Sequence, residues 1–290
     1  MTVRLRRFTD PGLFLEHCSA CLATHEAENN LPLGILANLL AGQYKEFPPY
    51  MAAVECDRSI VQVLLRTPPH PLLISYRDTP PSDEVVRLVV EDLRREYGDE
   101  LAGMTGDKDV VSSYVKAWEH TSARQARLRT AMRVYRASQI RPIMGVLGIM
   151  RPITEADGEL VVEWLLAFNR ETHNEEPARD RVYATFERYL SADRAQRGLV
   201  LWEVGGAPVS MAGYSGPTPH GIRVGPVYTP PSYRRRGYAS ACVGALSQHL
   251  LAGGRAFCFL FADLRNPTSN HIYQELGYTP VSDVDSYLFL

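Results

Sequence analysis

Residues 224–240 read VGPVYTPPSYRRRGYAS. The run Ile222–Tyr228 is apolar enough for a strand, and the prolines that follow it end that strand in a loop. From Gly237 the pattern changes. Small or apolar residues recur at Ala239, Cys242, Val243, Leu246 and Leu250, the spacing of one helical face, and Gly253-Gly254 supplies a stop. A loop between a strand and a helix turns several backbone N–H groups towards one spot. The positive end of the helix lies behind that spot, so it attracts an anion such as a pyrophosphate. Gly237 has no side chain to keep the anion at a distance, and Ala239 is the next small residue.

The loop is not a nucleotide P-loop, which needs a Gly-Lys-Ser or Gly-Lys-Thr ending, and it lacks the three glycines of a dinucleotide fingerprint. A second segment follows in order. Phe257–Ala262 is an apolar run suited to a buried parallel strand. Residues 263–278 then read DLRNPTSNHIYQELGY. Asn266 is a plausible N-cap, Pro267 fits the first helical position and Gly277 the stop. Asn266, Asn270 and Tyr273 are spaced by four and three residues and share one face of that helix.

Arg234-x-x-Gly237-x-Ala239 resembles the acetyl-CoA pyrophosphate loop of the GNAT superfamily of N-acetyltransferases. The segment from Asn266 through Tyr273 to Leu276-Gly277-Tyr278 is similar to the second motif of that family. The resemblance covers about residues 149–290. It implies an α/β fold with a mixed sheet and acetyl-CoA as cosubstrate, with no metal. The residues implied to hold the cosubstrate are Val227, Tyr228, Arg234, Arg235, Arg236, Gly237, Tyr238, Ala239 and Ser240, then Asn266, Ser269 and Asn270 on the second helix. It further implies that the backbone near Val227 stabilises the thioester oxygen and that Tyr273 protonates the departing thiolate. The reaction so implied is direct transfer of an acetyl group to an amine of a small molecule or peptide within a ternary complex, where proximity supplies much of the rate. A non-catalytic CoA-binding sensor or scaffold is the alternative, since a fold does not fix a function. The general base is not legible. Strand 222–228 carries no carboxylate, and Asp263 stands first among Glu203, Asp263, Glu171 and His173.

Outside these motifs the chain of 290 residues is long enough for two domains. The expected division is residues 1–140, a linker at 141–148 rich in Pro and Gly, and residues 149–290. Both halves read as a strand, two helices, three strands and a helix. Thr79-Pro80-Pro81-Ser82 ends the third central strand of the first half, and Thr229-Pro230-Pro231-Ser232 ends its counterpart. A degenerate internal repeat is the better reading. The first half lacks the loop motif: Asp83 and Glu84 follow Ser82 where an anion would dock, and no glycine lies at the turn. It reads as a GNAT-like domain without cofactor, or as an accessory α/β module.

A net charge of -2 gives no electrostatic case for nucleic acid. No apolar stretch reaches membrane-spanning length, and the N-terminus has no signal-peptide pattern, so a cytoplasmic location is expected. Five cysteines at irregular positions argue against a disulfide framework. Cys18 and Cys21 form a C-x-x-C with no second pair at zinc-ligand spacing, and they read as two small residues of one helix.

Overall fold

The computed structural model describes residues 2–42, 47–173, 176–191 and 193–290, except for the side chains of His173 and Ser191. The first run of elements is β1 (Val3–Phe8), α1 (Pro11–Thr24), α2 (Asn30–Leu40), β2 (Tyr50–Cys56), β3 (Ser59–Arg66), β4 (Leu72–Ile74), α3 (Asp83–Tyr97), β5 (Gly103–Asp107), α4 (Lys108–Thr121) and β6 (Ala126–Ala137). The second is β7 (Ile149–Pro152), α5 (Gly158–His173), α6 (Arg179–Ser191), β8 (Gly198–Val204), β9 (Ala207–Ser215), β10 (Gly221–Tyr228), α7 (Tyr238–Ala252), β11 (Phe257–Asp263), α8 (Pro267–Glu275) and β12 (Thr279–Phe289). Every element of the second run has a counterpart of the same kind, in the same order, in the first. The fold is mixed α/β and internally repeated.

Two details differ from the sequence reading. The chain closes on one long strand, β12, where Pro280, Asp283 and Asp285 suggest a turn between two shorter ones; the strand runs through all three and stays paired with β5 from Val284 to Leu288. The reading contained no strand at 103–107. Its sequence, GMTGD, carries two glycines and none of the β-branched alternation by which strands are recognised. Gly106 is there for fit. A Cβ at this position would lie 2.9 Å from the Ile74 carbonyl oxygen, so the glycine lets β5 lie close against β4.

By contacts the chain falls into two compact units. The first comprises Met1–Val134, Ala262–Pro267 and Pro280–Leu290, and the second Tyr135–Phe261 and Thr268–Thr279. Residues 280–290 therefore pack with the first unit, and residues 141–148 lie in the second.

In the first unit the strands run β1-β2-β3-β4-β5-β12-β6. β4 and β5 pair in parallel, whereas β12 pairs with β5 antiparallel, from Val284 opposite Asp107 to Leu288 opposite Gly103. Successive side chains of β2 divide between the two faces, as a strand demands. Tyr50, Ala52 and Val54 join the core under α3 and α4, and Met51 and Ala53 join the core under α1 and α2. Phe289 completes the first of these cores and stacks on Trp118 with ring centroids 5.3 Å apart. Cys18 is buried in the second core, which pushes its thiol up to about 12, and Cys21 takes a hydrogen bond from Arg77.

In the second unit the order is β11-β10-β9-β8-β7. α5 and α6 cover Leu199, Leu201 and Met211, while α7 packs along β8, β9 and β10. Arg151 on β7 ties the corner of the sheet. It donates to both carboxylate oxygens of Asp157 at 2.8 and 2.9 Å and to Glu203 at 2.6 Å.

Candidate active site

The site is built where two parallel strands part. β10 and β11 are paired from Gly221 opposite Phe257 to Arg223 opposite Phe259, and no further, yet β10 continues to Tyr228 and β11 to Asp263. On its other edge β10 stays with β9, through an irregularity between Val224 and Val227 that bends the strand before it reaches Tyr228. Val227, half-buried, lies just after this bulge.

Beyond Tyr228 the chain turns through a short 3-10 segment at Pro231–Tyr233 and enters α7. Arg235 has φ 62 and Gly237 φ 78, so two left-handed residues fold the loop back on itself. For arginine this conformation is uncommon, and such residues gather at ligand clamps. α7 begins without a side-chain cap at Gly237. Among the described residues no acceptor takes the amides of Arg235, Arg236, Gly237, Tyr238, Ala239 and Ser240. Six consecutive donors at the positive end of a helix are a cradle for a phosphate group. The guanidinium groups of Arg235 and Arg236 are exposed and without partners among the described residues.

Arg234 is placed differently. It donates from Nε to the Thr229 carbonyl at 2.8 Å and from Nη2 to Glu171 Oε2 at 2.6 Å. The other oxygen of Glu171 accepts from the Tyr228 hydroxyl at 3.0 Å. Burial, and then the Glu171 carboxylate, raise the pKa of Tyr228. Glu171 at the end of α5 thus ties together the last residue of β10 and the first arginine of the loop.

On α8, Tyr273 is buried between the rings of Tyr135 and Tyr278, at 6.2 and 6.1 Å. Its hydroxyl makes no hydrogen bond with the described residues. Burial pushes its pKa up to about 12, so it holds its proton at neutral pH. The half-buried Asn270 accepts at Oδ1 from the Tyr135 hydroxyl at 2.8 Å, and Gln274 donates to the same hydroxyl at 3.2 Å. Tyr135 therefore fixes the face of α8 that carries Asn270 and Tyr273. The sequence reading missed it, since nothing in a strand reading RVYRA distinguishes it from other aromatic core residues. Ser269 is half-buried on the same helix, and Asn266 lies exposed in the turn before it, its N–H donating to Asp263 O at 3.0 Å.

The carboxylates considered as base fare poorly. Asp263 is clamped by Arg265, with Oδ2 2.8 Å from Nη2 and Oδ1 taking the Arg265 amide at 2.8 Å, and its pKa is lowered, first by the Arg265 hydrogen bond. Glu203 is held by Arg151 at 2.6 Å. Both oxygens of Glu171 are engaged, and the side chain of His173 lies outside the described residues.

The counterpart of α7 in the first unit is closed. α3 is capped by Ser82, whose side chain accepts from the Val85 amide, and Asp83 and Glu84 fill its first turn. No such cap or charge guards α7.

Residues 159–278 match the family model described as acetyltransferase (GNAT) family. No curated protein matches the chain. Among solved structures, a GCN5-related N-acetyltransferase from Sphaerobacter thermophilus superposes with a TM-score of 0.64 at 13% identity, over 98% of this chain and 94% of that one. A GNAT-family acetyltransferase from Colwellia psychrerythraea gives 0.55 at 9% identity, over 99% and 100%. A tandem GNAT protein from the clavulanic acid biosynthesis pathway gives 0.54 at 11% identity, over 99% and 97%. At these identities the solved structures bear on the fold alone. That fold extends over both units.

Proposed function

We propose, from the premise that this chain is a GNAT-family acetyltransferase of tandem architecture, that its second unit moves an acetyl group from acetyl-CoA to an amine of a small molecule or peptide by direct transfer. The observation that carries this reading is the run of amides from Arg235 to Ser240, which lack acceptors, at the mouth of the opening between β10 and β11. The site fits the cosubstrate on three counts. The amides and the exposed Arg235 and Arg236 suit its phosphates, the opening between strands suits an extended arm, and Asn270 with Ser269 presents polar groups on the neighbouring helix. Bound there, acetyl-CoA supplies an activated acyl thioester.

The remaining work falls to the chain. The Val227 N–H is our choice of donor for the oxygen on which charge builds, a placement worth several kcal/mol when the donor is fixed beforehand, about 2.7–4 in studied cases. Tyr273 holds a proton at Oη, has no competing partner among the described residues, and delivers it to the departing sulfur. The rings of Tyr135 and Tyr278 hold the Tyr273 ring in place for that step. The amine must arrive neutral. With Asp263 and Glu203 both held in ion pairs, we infer that its proton leaves through water or that the amine binds already neutral. In the first unit the cap and acidic turn of α3 exclude a phosphate, so the chain binds one acetyl-CoA. The cytoplasmic location expected from the sequence stays part of this proposal. Among the described residues no helix is long and apolar enough to cross a membrane.

The test is thioester turnover. The purified chain incubated with acetyl-CoA and a panel of primary amines should release free thiol with at least one acceptor class. Saturable CoA binding without thiol release across small-molecule and peptide amines would turn the reading towards a CoA-binding sensor.

A further inference from the structure

The ends of β10 and α7 remote from the proposed cofactor loop hold a second concavity. α7 has 15 residues, so its two ends are about 20 Å apart. At its C-terminal end lies a cavity of about 550 Å³, within the usual range for small-molecule sites. Four side chains able to carry positive charge line it, each from a different segment. Arg194 comes from the loop before β8, His220 from the turn before β10, His249 from the last turn of α7 and Arg255 from the lead into β11. No carboxylate is among its described lining residues. The charges of Arg223, Arg197 and Arg188 also fall on Tyr189 in its wall, and Asp193 beside Tyr214 is an acidic group nearby. Ile153, Leu199, Val200 and Leu250 make the floor apolar.

The cavity has fixed walls. The Tyr214 hydroxyl donates to the Arg194 carbonyl at 2.9 Å, and Arg255 Nη2 donates to the Ala195 carbonyl, so the loop is pinned from two sides. Gly198 makes room for this. A Cβ there would lie 2.4 Å from the Tyr214 hydroxyl. The carbonyl end of α7 would ordinarily repel an anion. Here its carbonyls are taken: His249 O by the Gly253 amide at 2.9 Å, Leu250 O by Arg255 at 3.2 Å and Leu251 O by Gly254 at 3.1 Å. The Arg194 guanidinium and the His249 ring make no hydrogen bond or ion pair with the described residues. Positive charge at the mouth over an apolar floor selects a ligand that is charged at one end only.

We propose that this cavity is a second small-molecule site, separate from the acetyl-transfer cleft, for an organic anion with an apolar body, the chemistry of a medium-chain carboxylate. Its carboxylate meets Arg194 with Arg255 beside it, and its chain lies on Leu199 and Val200. The full-length chain titrated calorimetrically with sodium octanoate should show saturable binding with one site. Saturating CoA should leave that binding unchanged, and the uncharged octanamide should bind at least about tenfold more weakly. Arg194→Gln should weaken octanoate about tenfold, the equivalent of about 1.4 kcal/mol. His249→Gln is an independent second variant, and both side chains are exposed enough to be changed without touching the core. Three outcomes would each overturn the site: no saturable binding in the millimolar range, displacement of octanoate by CoA, or affinity unaltered in both variants. None of these readouts depends on acetyl transfer, so their failure leaves the function proposed above untouched.

Discussion

Tyr273 illustrates what the hydroxyl of a buried ring gains from having no partner among the described residues. A hydrogen bond would stabilise the phenol where it is, whereas this one is held by packing between two rings and is free to donate. Tyr273→Phe should lower kcat by about 10²–10⁴-fold with little change in the affinity for acetyl-CoA, as expected of a group that acts in the transition state. Its pKa is raised to about 12, so it keeps its proton across the pH range of such an assay. Loss of activity as pH rises from 8 to 10 would then belong to another group, and the residual activity of Tyr273→Phe should show the same alkaline limb. Glu171 offers a second test. It competes with any phosphate for Arg234, in an ion pair about four-tenths exposed at both partners. Exposed pairs are worth about 0.2–1 kcal/mol, so Glu171→Gln should tighten CoA binding by no more than about fivefold, measured by calorimetry. Weaker binding in that variant would show that Glu171 holds the loop in shape. At this scale the sequence discloses Tyr273, Gly237 and the arginines, because they sit in a spaced pattern. It does not disclose Tyr135 or Glu171, whose roles arise from side chains meeting across 135 and 63 positions of chain.

Among the elements, α3 and α7 are the same helix in two states. Ser82 satisfies the start of α3 and two carboxylates occupy its first turn, while α7 starts from a left-handed glycine and leaves its donors open. Gly237 has a second duty not visible in the sequence. A Cβ there would come within 2.8 Å of Val146 Cγ2, so the segment 141–148 rests against the start of α7. Gly237→Ala should therefore destabilise by about 1–3 kcal/mol through its positive φ, with an added clash. Val146→Ala in the same chain should restore the clash component, read as a partial recovery of Tm, without restoring CoA affinity. Full recovery of affinity in the double variant would mean that the glycine serves packing and not the cradle. The Arg151–Asp157 pair gives an independent check on α5. Its hydrogen bonds from Arg151 hold the Asp157 carboxyl down to about 2, below its unfolded value, so its contribution is complete above the unfolded pKa and fades as pH falls towards 2. Asp157→Asn should cost roughly 1–3 kcal/mol at neutral pH, and the difference from the parent in urea melts should shrink as pH falls below 4. Most elements were legible because apolar period and turn residues agree. β5 was not, because two glycines that serve its fit against β4 and β12 erase the strand pattern.

For the whole molecule, the repeat of elements matters less than the way the chain closes it. β12 belongs by contacts to the first unit: it pairs with β5, Asp283 takes Arg133 at 2.6 and 2.9 Å, Ser286 bonds Thr105 at 2.7 Å, and Phe289 fills the core beside Trp118. A fragment of residues 1–140 leaves the β5 edge unpaired and a hole beside Trp118. Removing one buried Phe typically costs about 3–5 kcal/mol, a large share of a domain's stability. The fragment should be molten or aggregate in circular dichroism and light scattering, and adding a peptide of residues 279–290 in trans should recover cooperative melting. The intact chain should bind one acetyl-CoA at saturation. Two would make the first unit a working cofactor domain despite Asp83 and Glu84. The repeat of elements was readable from the echo of Thr-Pro-Pro-Ser, but the return of β12 to the first sheet was not, since strand pairing at such separation leaves no local trace in sequence. That return also sets a timetable. On the ribosome, residues 1–134 emerge long before residues 280–290, and until then β5 waits with an open edge. A nascent first unit should be a client of ribosome-associated chaperones, and slowing translation within residues 135–279 should lengthen its exposure and lower the soluble yield, whereas faster decoding there should raise it.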